Sequence, residues 1–347
     1  MSLKGIIRVL IVEDSPLMCK MLTSTINSDP KLLVVGTAYN GKEAVELVPK
    51  LRPHVITMDI NLPVMDGFEA TKQIMAYNPT PIIVLSLSVF KGGMDKAFKA
   101  ISYGALEVVE KAPLESTQDN KVAKQLIEKI KFLARVKVIH HPLAKIERRK
   151  LETIDIPKRK GTRKIIAIVA STGGPDALLR ILKRLPKEFA SGIVIVQHIS
   201  NGFTEGLAEW LDSECQIRVK IAEDSEEIKA GIAYIAPSCL HMEVKTGERI
   251  GLTKGDSLHG HIPSGDILME SVGRVYKREA TGIILTGMGR DGANGMRIIR
   301  QYHGNTIAQD EETSIIFGMP KAAIDMNIVD MVMPLDKIAD EIVRILQ

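Results

Sequence analysis

Short runs rich in β-branched residues alternate with amphipathic helical stretches along this chain, and that alternation restricts it to α/β architectures built on parallel sheets. Five such runs fall at 8–12, 32–37, 55–58, 82–85 and 106–109. Helix signals fill the intervals; Asp66 and Gly67, for instance, lead into Phe68, Ile74 and Met75. A last helical pattern sets Val122, Leu126, Ile130 and Leu133 on one face, which predicts a domain closing near Ala134. A second α/β series follows, with strand-like runs at 165–169, 193–196, 232–235, 282–285 and 306–308. At 347 residues the chain exceeds what one core usually organises, about 250–300 residues. Two domains are therefore predicted, 1–134 and 163–347, joined by a linker over 135–162.

The linker is basic: between 140 and 164, lysines and arginines outnumber Glu147, Glu152 and Asp155. With few aromatics beside them and a formal net charge of only +4 for the whole chain, they read as a solvated spacer rather than a nucleic-acid contact. Hydrophobic residues make up 45% and charged residues 25%, enough to bury cores without staples. No apolar run approaches the roughly 20 residues a bilayer requires, so no insertion in a membrane is expected. The start of the chain lacks the pattern of a secretory signal. Cys19, Cys215 and Cys239 are odd in number and show no CxxC spacing, which fits a reducing compartment without a zinc site. A cytoplasmic protein is expected.

In the first series, Glu13 and Asp14 follow the first strand and Asp59 follows the third, which gathers three carboxylates at one edge of the sheet. Like charges in contact repel unless a hard cation lies between them, and an oxygen-only set suits magnesium. Ser86 ends the fourth strand and Lys111 follows the fifth, so a hydroxyl and an ammonium reach the same edge and suit a phosphoryl group on Asp59. Any one of these acids alone reads as an ordinary helix cap. All five residues gathered at four strand ends do not.

With Pro63, Asp66 and Gly67, this set resembles the receiver domain of two-component response regulators over about residues 6–134. The resemblance implies a flavodoxin-like fold with a five-stranded parallel sheet. It also implies Asp59 as phosphoacceptor, Glu13, Asp14 and Asp59 as Mg2+ ligands, and Ser86 and Lys111 as the switch pair. Two positions depart from the receiver pattern: Ala112 separates Lys111 from Pro113, and Val108 stands where many receivers carry an aromatic switch residue.

In the second series, the first strand runs into Ala170, Ser171, Thr172, Gly173, Gly174 and Pro175, ahead of a helix pattern with Leu178, Leu179 and Leu182. Glycines permit a sharp turn, and free amides at a helix start face an anion, whether a bound phosphate or a developing oxyanion. The spacing fits neither GxGxxG nor a lysine-bearing phosphate loop. His198 ends the next strand, after Gln197. A flexible loop from Thr286 to Gly295 carries Asp291, and by itself it suits a metal or a nucleotide as well. Together, serine, histidine and aspartate at three strand ends supply a hydroxyl, a base and a carboxylate to orient that base. Their order along the chain is not that of α/β-hydrolases, and GxSxG is absent.

These residues resemble the chemotaxis protein-glutamate methylesterase and protein-glutamine glutaminase family over roughly 163–345. Supporting stretches are 197–204 with Phe203, 235–237 before His241 and Met242, and His261 with Pro263, Ser264 and Asp266. Ile262 departs, standing where the family commonly has arginine. The resemblance implies a doubly wound, mainly parallel catalytic domain. It further implies that Ser171, His198 and Asp291 hydrolyse glutamate methyl esters of methyl-accepting chemotaxis receptors. Backbone amides at Thr172 and Met288 would form the oxyanion hole, and glutamine side chains would be deamidated by the same route without a cofactor. A receiver fused to such a hydrolase implies gating by a phosphoryl group that a chemotaxis histidine kinase donates. Two rival expectations stand beside this: the same chemistry on a non-chemotaxis protein, and a DNA-binding response regulator, which requires a helix-turn-helix output that a strand-rich second half does not suggest.

Overall fold

The computed structural model describes residues 5–86, 94–111, 120–136, 164–258 and 260–346. The chain divides into two compact units, Met1–Arg149 and Lys150–Gln347. Nearly all of the predicted linker lies outside the described residues, as do Ala112 and Pro113.

In the first unit, β1 (Ile7–Val12), β2 (Leu32–Ala38), β3 (Val55–Asp59), β4 (Ile82–Ser86) and β5 (Glu107–Glu110) form one parallel sheet ordered β2-β1-β3-β4-β5. Val9, Leu10, Ile11, Ile56, Ile83 and Val84 are wholly buried. Such two-sided burial explains why these runs read as continuous apolar stretches instead of alternating ones. Leu126, Ile130 and Leu133 of the helix Asn120–Leu133 bury the predicted face; the side chain of Val122 lies outside the described residues. Asp66 caps the helix Gly67–Tyr77, its carboxylate accepting the Glu69 N–H at 2.8 Å. That helix starts against β3 itself: a Cβ on Gly67 would lie 1.9 Å from the Asp59 carbonyl oxygen. Backbone cannot yield as a flexible side chain can. Gly67→Ala is thus expected to destabilise this unit by about 3 kcal/mol or more, read as faster amide exchange in β3.

In the second unit, β6 (Ile165–Ala170), β7 (Gly192–Gln197), β8 (Arg218–Ile221) and β9 (Ile232–Ile235) come first. An antiparallel hairpin follows, β10 (His241–Lys245) with β11 (Arg249–Thr253), and then β12 (Ala280–Ile284), β13 (Asn305–Gln309) and β14 (Met331–Met333). The seven strands outside the hairpin form one parallel sheet ordered β14-β13-β12-β6-β7-β9-β8. One face of its core joins Val169, Val194 and Val196 to Leu268 and Met269 of the helix Gly265–Tyr276. The five predicted strands form the interior. The edge strands β8 and β14 and the hairpin were not predicted: β14 has three residues, and β8 alternates Arg218, Val219, Lys220 and Ile221, as short polar edges do. Because β6 has β7 on one side and β12 on the other, the order reverses there. The crevice of the unit therefore opens at the carboxyl end of β6, where ligands of open α/β sheets bind.

Candidate active site

Ser171 leaves β6 into a tight turn. Its N–H donates to the Thr286 carbonyl at 3.0 Å, and its own carbonyl accepts the Gly174 N–H at 2.7 Å. Gly173 holds φ +78°, a left-handed conformation that costs glycine nothing, and the helix Gly174–Leu182 starts directly after it. The side-chain nitrogen of Gln197 donates to the carbonyls of both Ser171 and His198, each at 2.8 Å. One buried carboxamide thus ties the two strand ends together.

Across that tie, Ala170 pairs with Gln197 in register, and the His198 N–H donates to the Ala170 carbonyl at 2.9 Å. Ser171 and His198 consequently sit side by side at strand ends about 4.8 Å apart. The Ser171 hydroxyl has no hydrogen-bond partner among the described residues, so no bond joins it to His198. Catalytic contacts of this kind often tighten only when substrate binds.

His198 Nε2 lies 2.9 Å from Asp291 Oδ2, with both side chains almost sealed from solvent. Three further donors hold that carboxylate: the Ser264 hydroxyl at 2.9 Å, the Gly265 N–H at 2.6 Å and the Asp266 N–H at 3.0 Å. Asp291 therefore sits on the first turn of the helix Gly265–Tyr276, where the backbone favours a negative charge. Burial alone would raise its pKa. The contact and charge of His198, with the Gly265 and Asp266 amides, outweigh burial and hold it at about 2.

A second layer holds the first. The Ser264 N–H donates to His241 Nδ1 at 3.1 Å, while His241 Nε2 faces the Asp256 carbonyl at 3.0 Å. Asp266 accepts the Gly295 N–H at 2.9 Å and Asn294 Nδ2 at 3.1 Å, which fixes the helix Ala293–Gln301 behind Asp291. The Thr286 hydroxyl donates to the Thr172 carbonyl at 3.0 Å and accepts the Ile316 N–H at 2.9 Å, joining the serine turn to the loop before Met288. The Met288 N–H donates to no described group, and its side chain is 38% exposed at the rim. In the sequence, His241, Ser264 and Asp266 fall in rim stretches with no role of their own. A serine and two small or acidic residues opening a helix were the signal. Nothing local marked Gln197 as the tie.

In the first unit, ligand oxygens of Glu13, Asp14 and Asp59 lie within 4.8 Å of one another. Lys111 Nζ reaches Glu13 Oε2 at 2.6 Å and Asp59 Oδ2 at 2.7 Å. The Lys111 N–H also donates to the Ser86 carbonyl at 2.9 Å, and all but the exposed Asp14 are buried. Burial pushes the Glu13 carboxyl above its ordinary range despite Lys111. Burial would lower the Lys111 ammonium, but its contacts with Asp59 and Glu13 carry it upward. Three carboxylates with one open to solvent fit a hard cation that keeps some of its waters. The structure brings all five predicted residues together, with Val108 buried in β5.

Fold and sites together define a class: a response-regulator receiver unit in one chain with a parallel α/β unit carrying serine, histidine and aspartate at its strand ends. Residues 9–120 match the family described as response regulator receiver domain, and residues 166–342 match CheB methylesterase. The chain is 43% identical over 343 residues to a protein-glutamate methylesterase/protein-glutamine glutaminase of Syntrophus aciditrophicus, covering 98% of each. A protein of Pyrococcus horikoshii with the same description is 42% identical, over 97% of this chain and 93% of its own. The crystal structure of the Thermotoga maritima CheB methylesterase catalytic domain superposes with a TM-score of 0.52 at 41% identity, covering 53% of this chain and 99% of that one. This chain belongs to the CheB methylesterase family.

Proposed function

We propose that this enzyme hydrolyses methyl esters of glutamate side chains, and amides of glutamine side chains, on chemotaxis receptors in the cytoplasm. The observation that carries the reading is the neighbouring placement of Ser171 and His198, with His198 bonded to a buried, ionised Asp291. Ser171 Oγ attacks the ester carbonyl as its proton passes to His198. The tetrahedral oxyanion takes hydrogen bonds from the backbone amides of Thr172 and Met288, each worth roughly 3 kcal/mol in such sites. His198 then returns the proton to the departing methoxy oxygen, and methanol leaves. Water, deprotonated by the same ring, cleaves the acyl-enzyme and yields a free carboxylate. A glutamine amide follows the same course and releases ammonia. The test is methanol release from a methylated receptor incubated with the full chain; a receptor fully methylated at the end would overturn the reading.

Asp59 is proposed to accept a phosphoryl group from a histidine kinase, and the rate of hydrolysis to rise in consequence. Glu13, Asp14 and Asp59 would hold Mg2+, which when bound neutralises charge on the phosphoryl oxygens. Lys111 is close enough to Asp59 to meet a phosphoryl oxygen once it is attached, and Ser86 lies at the end of the neighbouring strand. A coupling of 1–3 kcal/mol corresponds to about 5- to 150-fold stimulation. Asp59→Asn removes the oxygen that would be phosphorylated. The variant is expected to show no change in methanol release when a small-molecule phosphodonor and Mg2+ are added, whereas the parent chain accelerates; equal stimulation of both would exclude Asp59.

A further inference from the structure

A ring nitrogen that takes the serine proton must carry a lone pair, and the surroundings of His198 leave one candidate. Nε2 faces Asp291 Oδ2 at 2.9 Å, and that oxygen already accepts the Gly265 N–H. An ionised carboxylate only accepts hydrogen bonds, so Nε2 carries the hydrogen and the lone pair falls to Nδ1. Nδ1 is buried and has no hydrogen-bond partner among the described residues. A buried nitrogen left unpaired is costly, which suits an atom kept for a partner that arrives with the reaction.

The ring cannot readily exchange its nitrogens. His261 lies parallel to it, with ring centroids 3.9 Å apart and planes 2° from coincidence. Rotation of His198 about its Cβ–Cγ bond would drive its edge into His261 and break the Asp291 contact.

We infer that His198 acts as base through Nδ1, not Nε2, and that His261 is a positioning residue which holds the ring in that presentation. The inference rests on the Ser171, His198 and Asp291 reading above. In the step, the Ser171 O–H bond breaks, its hydrogen joins Nδ1, and the oxygen electron pair forms the bond to the ester carbon. The Nδ1 hydrogen later joins the departing methoxy oxygen. Nε2 keeps its hydrogen throughout.

Nitrogen-15 NMR of the full chain with labelled histidine tests the first half. The sequence has eight histidines, so His198 is assigned by the signals lost in His198→Gln. In the neutral His198 ring the hydrogen is expected on Nε2, with Nδ1 showing the shift of a lone-pair nitrogen; a hydrogen on Nδ1 in the neutral ring overturns the inference. No substrate enters this measurement, so its failure is separable from that of the hydrolase reading. For His261, alanine is expected to lower kcat about 10- to 100-fold with KM little changed. His261→Phe restores a flat ring and should recover most of that loss while keeping the Nε2 hydrogen. Equal losses in the two variants, or an effect confined to KM, would remove the positioning role.

Discussion

Ser171→Ala is expected to abolish methanol release from a methylated receptor, lowering turnover by about 10⁶-fold, the scale seen when a serine nucleophile is removed elsewhere. The size follows from what is lost. Without the hydroxyl no acyl-enzyme forms, and the base and oxyanion donors are left with water as the only nucleophile. Folding should survive, because the Ser171 hydroxyl bonds to no described group while its N–H and carbonyl keep their partners in any residue. Stability is expected to stay within about 0.5 kcal/mol of the parent. It can be followed through Trp210, the single tryptophan of the sequence, which is buried in the catalytic unit. Turnover at a tenth of the parent rate in a folded variant would eliminate Ser171 as the nucleophile.

Asp291→Asn is the second large expectation, with turnover falling by about 10⁴-fold. Asp291 accepts four hydrogen bonds and donates none. An amide in its place must turn its NH2 toward one of the backbone N–H donors, Gly265 or Asp266, whichever way it lies. With its oxygen beside His198 it still lacks the charge that stabilises the imidazolium; with its nitrogen there it drives the ring hydrogen onto Nδ1. Stability carries a separate signature. Asp291 is held at about 2 against an ordinary 3.8, so its folded pKa is depressed. The stability that it contributes is present above pH 3.8 and is lost as the pH falls toward 2. That contribution amounts to roughly 2 kcal/mol. Urea unfolding followed at Trp210 should show a gap between parent and variant that narrows by about this amount across the window. A gap independent of pH would mean that the ionised carboxylate is not what holds the helix start at Gly265.

Much of this was legible in the sequence because it is local. A run of β-branched residues ends in a turn, and the residue at that turn reaches the carboxyl edge of the sheet whatever its neighbours are. Glu13, Asp59, Lys111, Ser171 and His198 were found that way, each from its own strand end. The interior strands were readable for the same reason, since burial on both faces leaves a continuous apolar run. The short strands β8 and β14 escaped because an edge needs neither length nor apolar composition.

Sequence alone therefore determined which side chains stand at the two carboxyl edges and what chemistry those types allow. Tertiary structure decided how they are held: Ser264, Gly265 and Asp266 around Asp291, His261 flat against His198, and Gln197 across the two strand ends. Those contacts join residues dozens of positions apart through loops whose course no periodicity records. They form only once the sheet has fixed its strand order, and strand order is a property of the packed core rather than of any segment within it.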